Sequence, residues 1–342
     1  MKQKVTGAKA VILSLLEEQV DTIFGYPGGA IMPIYDEMYN CPEKLRHILV
    51  RHEQGAAHAA QAYAMVTDKE GVCFATSGPG ATNLITGIAN AHVDSIPMVF
   101  VTAQVASGLL GTDAFQETDM VGLSMPVTKW NCQVTKAEDI PAAFAKAFYV
   151  ANTGRKGPVL IDITKDAQMQ EIDFEYKKYP FIRSYVPYPE INMDKVEKAA
   201  EMINKAKRPL IFNGHGVLLS GAQKEMCKMI EKTGIPVAST LLGLSAIPSQ
   251  HGQYVGMLGM HGNYAPNVKT NESDVIISIG MRFDDRVTGN LAKYAKQAKI
   301  IHIDIDAAEL NKNVDVDVAI KSDAKSALNA LLPLLNEKRY DN

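Results

Sequence analysis

From Arg51 to Ala64 the chain reads RHEQGAAHAAQAYA, with Glu53 at the head of a stretch made largely of alanine, glycine and polar residues. A carboxylate in the first turn of a helix is favoured by the helix macrodipole, by ~0.3–1 kcal/mol, and needs no other purpose. Where small residues let a ligand approach closely, the same group is a candidate for general acid–base chemistry. His52 and His58 flank it in sequence and raise the option of a metal centre. Histidines at that separation point well apart on an α-helix, unlike the i, i+4 pair of a zinc-binding H-E-x-x-H helix. The metal option is dropped, and His58 is expected to pack or to cap. Two glycine-rich segments, FGYPGGA (Phe24 to Ala30) and ATSGPGATN (Ala75 to Asn83), also follow apolar runs. Gly28, Gly29, Gly78 and Gly80 permit positive φ or close backbone approach to a ligand. One such loop is explained equally well by turn chemistry. Several at neighbouring strand ends, one of them carrying Glu53, describe a pocket.

The elements that would position these loops are legible as alternating apolar and helical patterns. In a first series, DTIFGYP, LRHILV, GVCFATS, PMVFVTA and GPVLIDIT read as buried strands. Helical stretches lie between them, near Ala30 to Tyr39, His52 to Val66, Ala81 to Val93 and Ile140 to Ala151. A second series begins near Met193, with strands RPLIFNG, IPVAST, DVIISIG, KIIHIDID and VDVAIKS and helices at Gly221 to Lys232 and Lys325 to Leu335. Between the two runs QEIDFEYKKYPFIRSYVPYPEIN, which lacks either periodicity and reads as a linker. The expectation is an α/β protein with two doubly wound parallel-sheet domains: residues 1–169, a linker over 170–192, and a Rossmann-like domain over 193–342. In such sheets ligands bind beyond the carboxyl ends of the strands.

Composition removes several function classes. The 342 residues are 46% hydrophobic and 21% charged with a formal net charge of −3, and no basic run suggests nucleic-acid binding. No apolar run approaches membrane-spanning length, and the N-terminal segment reads as an amphipathic helix and not as a signal peptide; a cytoplasmic location is expected. Cys41, Cys73, Cys132 and Cys227 are scattered without a C-x-x-C pair, which argues against a disulfide framework or zinc site. Cys73 is expected in the core.

FGYPGGAIMPIYDEM, RHEQGAAHAAQAYA, ATSGPGATNLITGIANAHVDSIPMVFVTAQV and GTDAFQETDMVG together resemble the large catalytic subunit of acetohydroxyacid (acetolactate) synthases, a thiamine-diphosphate family of branched-chain amino-acid synthesis. The resemblance runs the length of the chain. It implies that Glu53 hydrogen-bonds the aminopyrimidine ring of the cofactor and tunes its proton transfers. It implies that Tyr26, Pro27, Gly28 and Gly29 line the pyrimidine pocket with Pro79 and Asn83 nearby. Phe115 and Gln116 would border the entrance. Lys165 would stand at the channel for a 2-keto acid, although a lysine after a strand is ordinarily just solvated. Glu53, Gln116 and Lys165 are thus the candidate catalytic residues. Ala56, Ala57 and Ala60 would keep their helix slim where another domain or cofactor packs.

The second series resembles the FAD-binding segments of the same family. By position these are Arg155 and Gly214; Thr240 and Leu241; Leu258, Gly259, Met260, His261 and Gly262; Gly280, Arg282, Asp284 and Arg286; Asp304, Ile305 and Glu309; and Asp323. Glycine amides reaching a pyrophosphate, arginines offsetting its charge and Asp304 on a ribose hydroxyl make physical sense. RFDDRVTG is equally readable as a surface salt-bridge cluster. Two departures stand out: Ala106 occupies a position where the family often has proline, and Met125 one where arginine is common. The family also continues into a domain whose GDG motif and asparagine hold Mg²⁺ and the diphosphate. That motif is not in this sequence, so the Mg²⁺ ligands are expected elsewhere and the chain alone is expected to be inert. The implied activity is carboligation of pyruvate with a second 2-keto acid, in a homodimer with a possible regulatory small subunit. Alternatives are a pyruvate oxidase, a glyoxylate carboligase or a flavin-free relative, or a non-catalytic FAD- or nucleotide-binding remnant.

Overall fold

The computed structural model describes residues 3–41 and 45–337. The chain divides into two compact units, Met1–Tyr185 and Val186–Asn342.

In the first unit the strands are β1 (Gln3–Thr6), β2 (Thr22–Gly25), β3 (Arg46–Leu49), β4 (Gly71–Ala75), β5 (Met98–Gln104), β6 (Trp130–Val134), β7 (Pro158–Thr164) and β8 (Glu171–Phe174). Six of them form a parallel sheet in the order β3-β2-β4-β5-β7-β6. GVCFA, MVFVTAQ and PVLIDIT are buried along their whole length, as parallel strands covered on both faces must be. Helices α1 (Gly7–Glu17) and α2 (Met32–Tyr39) cover one face together with Ile140–Asn152; α3 (Glu53–Thr67) and α5 (Ile85–Asp94) cover the other, with the short α4 (Pro79–Thr82) between them in sequence. The arrangement is a doubly wound α/β sheet.

Three strands, β1, β6 and β8, escaped the periodicity reading. β6 is an edge strand whose WNCQV alternates with polar residues. β8 falls inside the segment expected to be linker: Glu171–Phe174 pairs antiparallel with β1, and Ile172 and Phe174 pack on the core. Its partner lies at the far N-terminus, beyond any local window.

The second unit carries β9 (Pro209–Asn213), β10 (Val237–Ser239), β11 (Tyr254–Met257), β12 (Val275–Ile279), β13 (Lys299–Asp304) and β14 (Val318–Lys321). They form a parallel sheet in the order β11-β10-β9-β12-β13-β14. Helix Met193–Lys205 starts at Asn192, whose side chain accepts the Lys195 N–H at 3.1 Å. The last helix is Ala324–Leu331, shorter than expected, because Pro333 turns its end into a 3₁₀ turn. β11 was also missed; Gly256, at φ 108°, breaks its alternation.

Candidate active site

In the first sheet β2 leads to β3 on one side and β4 lies on the other, so the strand order reverses between β2 and β4. Loops leaving adjacent strands there diverge and open a crevice. The residues beyond β2 are Tyr26, Pro27, Gly28 and Gly29; those beyond β4 are Thr76 to Asn83; and β3, on the other side of β2, leads through Arg51 and His52 to Glu53. His52 ends the extended segment and caps α3, its Nδ1 accepting the Gln54 N–H at 3.1 Å. His58, expected to pack or cap, is exposed instead.

Glu53 is buried. Asn83 Nδ2 donates to its Oε2 at 2.9 Å. Its Oε1 faces Gly80, where an added Cβ would lie 3.1 Å from that oxygen and 2.8 Å from Thr76 Cγ2. A Cβ on Gly28 would meet the Thr76 side chain at 2.5 Å. The two glycines therefore let the loop backbone close onto Thr76 and, at Gly80, onto the carboxylate. Beneath it, burial pushes the Cys73 thiol well up, and the Glu53 charge adds to the effect. Tyr35 is raised in the same way, first by burial, and its hydroxyl lies 3.4 Å from His47 Nε2. Tyr26, Pro27, Gly29 and Pro79 form the exposed rim.

Gln116 joins this edge through Gly78. Both have positive φ, 61° and 60°, and a Cβ on Gly78 would come within 2.7 Å of the Gln116 carbonyl oxygen. Phe115 beside it is 87% exposed. Lys165 is exposed at the end of β7. The strand order places β7 beyond β5, which separates it from the β4 loop. Ala56, Ala57 and Ala60 do not face a partner: all three are fully buried in their own unit. A Cβ on Gly87 of α5 would come 2.3 Å from Ala57 Cβ, and one on Gly71 2.4 Å from the Ala60 carbonyl oxygen. The small side chains serve close helix and strand packing inside the domain.

In the second sheet the order reverses between β9 and β12. Gly214 and Gly280 follow those strands, and their backbones touch: a Cβ on Gly214 would lie 2.2 Å from the Gly280 carbonyl oxygen. The backbone amides of these glycines are engaged within the protein. The N–H of Gly214 donates to Ile279, that of Gly280 to Ile303 and that of Gly262 to Gly259, while Gly259 N–H donates to Asn267 Oδ1. Leu258 is buried in the core. Asp284 and Asp323 cap the helices that follow them. Arg282 is half-buried with Asp284 3.6 Å away, whereas Arg286, Met260, His261 and Leu241 are exposed. The Met260 N–H donates to the Arg286 carbonyl at 2.7 Å, tying the β11 and β12 loops together. Asp304 accepts the Asp306 N–H at 2.8 Å, Ile305 follows it directly, and Glu309 pairs with Lys312 at 3.2 Å. Thr240 caps a 3₁₀ turn beyond β10. Arg155 belongs to the first unit, where its Nε donates to Ser95 at 3.0 Å.

Residues 5–123 match the family described as thiamine pyrophosphate enzyme, N-terminal TPP binding domain, and residues 196–331 match thiamine pyrophosphate enzyme, central domain. This chain belongs to the thiamine pyrophosphate enzymes. Within that family it is similar to the acetolactate synthase large subunit of Corynebacterium glutamicum, 51% identical over 330 residues, which is 96% of this chain and 53% of that protein. The acetolactate synthase large subunit of Haemophilus influenzae is 48% identical over 98% of this chain and 59% of its own. A probable acetolactate synthase large subunit of Methanocaldococcus jannaschii is 50% identical over 96% and 56%. The chain thus spans a little over half the length of these relatives.

For a thiamine pyrophosphate enzyme the two crevices differ in how they meet the expected groups. The first sets the buried Glu53 carboxylate, an acceptor for a ring nitrogen, beside the exposed rim of Tyr26, Pro27, Gly29 and Pro79. The second edge offers side chains and exposed apolar groups, not glycine amides, to a nucleotide. Among the described residues no three or more His, Cys, Asp or Glu side chains are grouped to hold a metal ion, and no helix is long and apolar enough to cross a membrane. Sequence reasoning missed Thr76, Tyr35, Gln104 and Asp162. The last two had a readable signal, being polar residues inside the apolar runs VFVTAQ and VLIDIT.

Proposed function

We propose that the chain supplies the pyrimidine-binding half of a thiamine diphosphate site in an acetolactate synthase. This transferase condenses pyruvate with a second 2-keto acid, pyruvate or 2-ketobutyrate, to 2-acetolactate or 2-aceto-2-hydroxybutyrate in valine, leucine and isoleucine biosynthesis. The observation that carries the reading is Glu53: a carboxylate buried at the switch point of the first sheet, with Oε2 fixed by Asn83 and Oε1 against the side-chain-free Gly80. When bound, thiamine diphosphate supplies the carbon nucleophile for decarboxylating one keto acid and joining it to the next. Glu53 holds or accepts a proton at the pyrimidine ring, and Asn83 fixes which oxygen does so. Gln116 and Phe115 border the entry, and Lys165 offers a cation to a keto-acid carboxylate.

The diphosphate and Mg²⁺ are held by a further domain, on the same or a separate polypeptide, and two copies pair to complete the site. FAD lies along the carboxyl edge of the second sheet. There Arg282 and Arg286 face its phosphates, Asp304 its ribose, and Leu241 and Met260 its apolar parts. A regulatory small subunit, in keeping with the large-subunit names of the relatives, and a cytoplasmic location complete the proposal.

The test is pyruvate consumption by the chain with thiamine diphosphate, Mg²⁺ and FAD, alone and with the C-terminal half of the Corynebacterium glutamicum relative added. Turnover is expected only with the added half, and Glu53→Gln should reduce it by about 10²-fold or more. Full turnover by the Glu53→Gln protein would remove Glu53 from the mechanism, and turnover by the chain alone would refute the need for a further domain.

A further inference from the structure

Thr102, Asp162 and Gln133 stand opposite one another across β5, β7 and β6. Asp162 is fully buried. Its Oδ1 accepts the Thr102 hydroxyl at 2.7 Å, and its Oδ2 accepts the side-chain amides of Gln104 and Gln133, each at 3.1 Å. A buried carboxylate left without donors would be costly, and these bonds meet that need. They also agree with the direction of the Gln104 amide, which turns its NH₂ to Asp162 Oδ2. Gln104 donates its second amide hydrogen to the Thr118 carbonyl at 2.7 Å. Its Oε1 takes the Val105 N–H at 2.9 Å.

Thr118 closes the GTDAFQE turn. That turn is organised from within: Glu117 accepts the N–H groups of Gly111 and of Ala114, the latter at 3.1 Å. A turn stiffened in this way moves as a piece and needs an anchor to the sheet. Gln104, 1% exposed, provides one. On its other side the turn rests Gln116 on Gly78, and the segment after Gly78 carries Asn83, the donor to Glu53.

We propose that Gln104, oriented by Asp162, is a positioning residue that holds the Phe115–Gln116 turn against the Gly78 loop and so keeps the mouth of the Glu53 pocket in shape. The catalytic meaning of this rests on the function proposed above; the mechanical claim does not.

Hydrogen–deuterium exchange of the chain tests it. Gln104→Met keeps the length of the side chain and removes its hydrogen bonds. It should speed exchange at least tenfold in peptides covering 105–119 and 76–83 while leaving the cores of β5 and β7 protected. Gln104→Glu should do the same to the turn. The double variant Asp162→Asn with Gln104→Glu restores the strand-to-strand bond with reversed polarity, but leaves the Thr118 carbonyl facing an acceptor. Its melting temperature should recover towards the parent value while the turn stays in fast exchange. Unchanged exchange in Gln104→Met overturns the proposal, as does a double variant that restores the turn together with the melting temperature. If exchange behaves as expected and Glu53→Gln leaves pyruvate consumption intact, the positioning role stands and the proposed function falls.

Discussion

The two units share a plan and use it differently. Each has a six-stranded parallel sheet whose order reverses once near the middle, and each brings glycines to that reversal. In the first unit Gly28 and Gly80 close onto side chains, Thr76 and at Gly80 the Glu53 carboxylate, while Gly29 has open space around it. In the second Gly214, Gly216 and Gly280 press backbone on backbone, and the Gly216 N–H donates to the Gly280 carbonyl at 2.8 Å. The first reversal thus brings a buried charge to loops with an open rim at Gly29. The second is closed by main chain. A glycine-rich strand end therefore marks a switch point in both units, but says nothing by itself about whether the switch is open.

The largest expected effect breaks the sealed crevice. Gly280 has φ +62°, and its Cβ would lie 2.6 Å from Gly216 Cα. Gly280→Ala combines a strained backbone with a clash against main chain that cannot swing away, and should destabilise the second unit by at least about 3 kcal/mol. In the open crevice Gly29 has nothing within 4 Å of the same atom, so Gly29→Ala should change stability by less than about 0.5 kcal/mol. Denaturant unfolding of the two variants checks the contrast. Equal losses would mean that the reversal points are packed alike.

A smaller effect separates packing from pocket within the first unit. Gly87→Ala adds a methyl group 2.3 Å from Ala57 Cβ. The helix-propensity gain of about 1 kcal/mol is outweighed by overpacking between α3 and α5, for a net loss of about 1–2 kcal/mol. Ala57→Gly in the same molecule should recover most of it, and a double-mutant cycle measures the coupling. Additive losses would show that Ala57 and Gly87 do not meet.

How far the sequence could be read follows from the same contrast. The central strands are continuous apolar runs, and their burial on both faces leaves a signal in every residue. The edge strand β6 and the β1–β8 pair alternate weakly and depend on partners far away in sequence, so no local pattern marked them. Glu53 and its neighbouring loops were visible because chemistry there is written in residue types. The role of Ala57 was misplaced because a small residue reports close approach without saying of what. The glycines of the second unit raise a related point: a backbone amide near a strand end is available only if no carbonyl has already taken it, and that depends on the β9–β12 register.

The smallest expected effect sharpens the comparison through a proton. His302 on β13 is fully buried, with Nε2 2.9 Å from the Met281 carbonyl and its ring edge-on to Phe283 at 5.0 Å. The carbonyl is an acceptor, so Nε2 carries the hydrogen of a neutral ring, and Nδ1 has no partner among the described residues. Burial holds this imidazole below its ordinary value, opposed in part by the Met281 bond and the charge of Glu309. Below about pH 6.5 the unfolded chain binds a proton that the folded one refuses. Stability is therefore fully present above that pH and is lost as pH falls towards the folded value, with a slope that one proton limits to about 1.4 kcal/mol per pH unit. His302→Leu should flatten that part of the stability profile of the second unit, read by melting temperature from about pH 7.5 to about pH 5.5. An unchanged slope would place the titrating group elsewhere; in the first unit the half-buried His47, held low by the same cause, is the group to replace next.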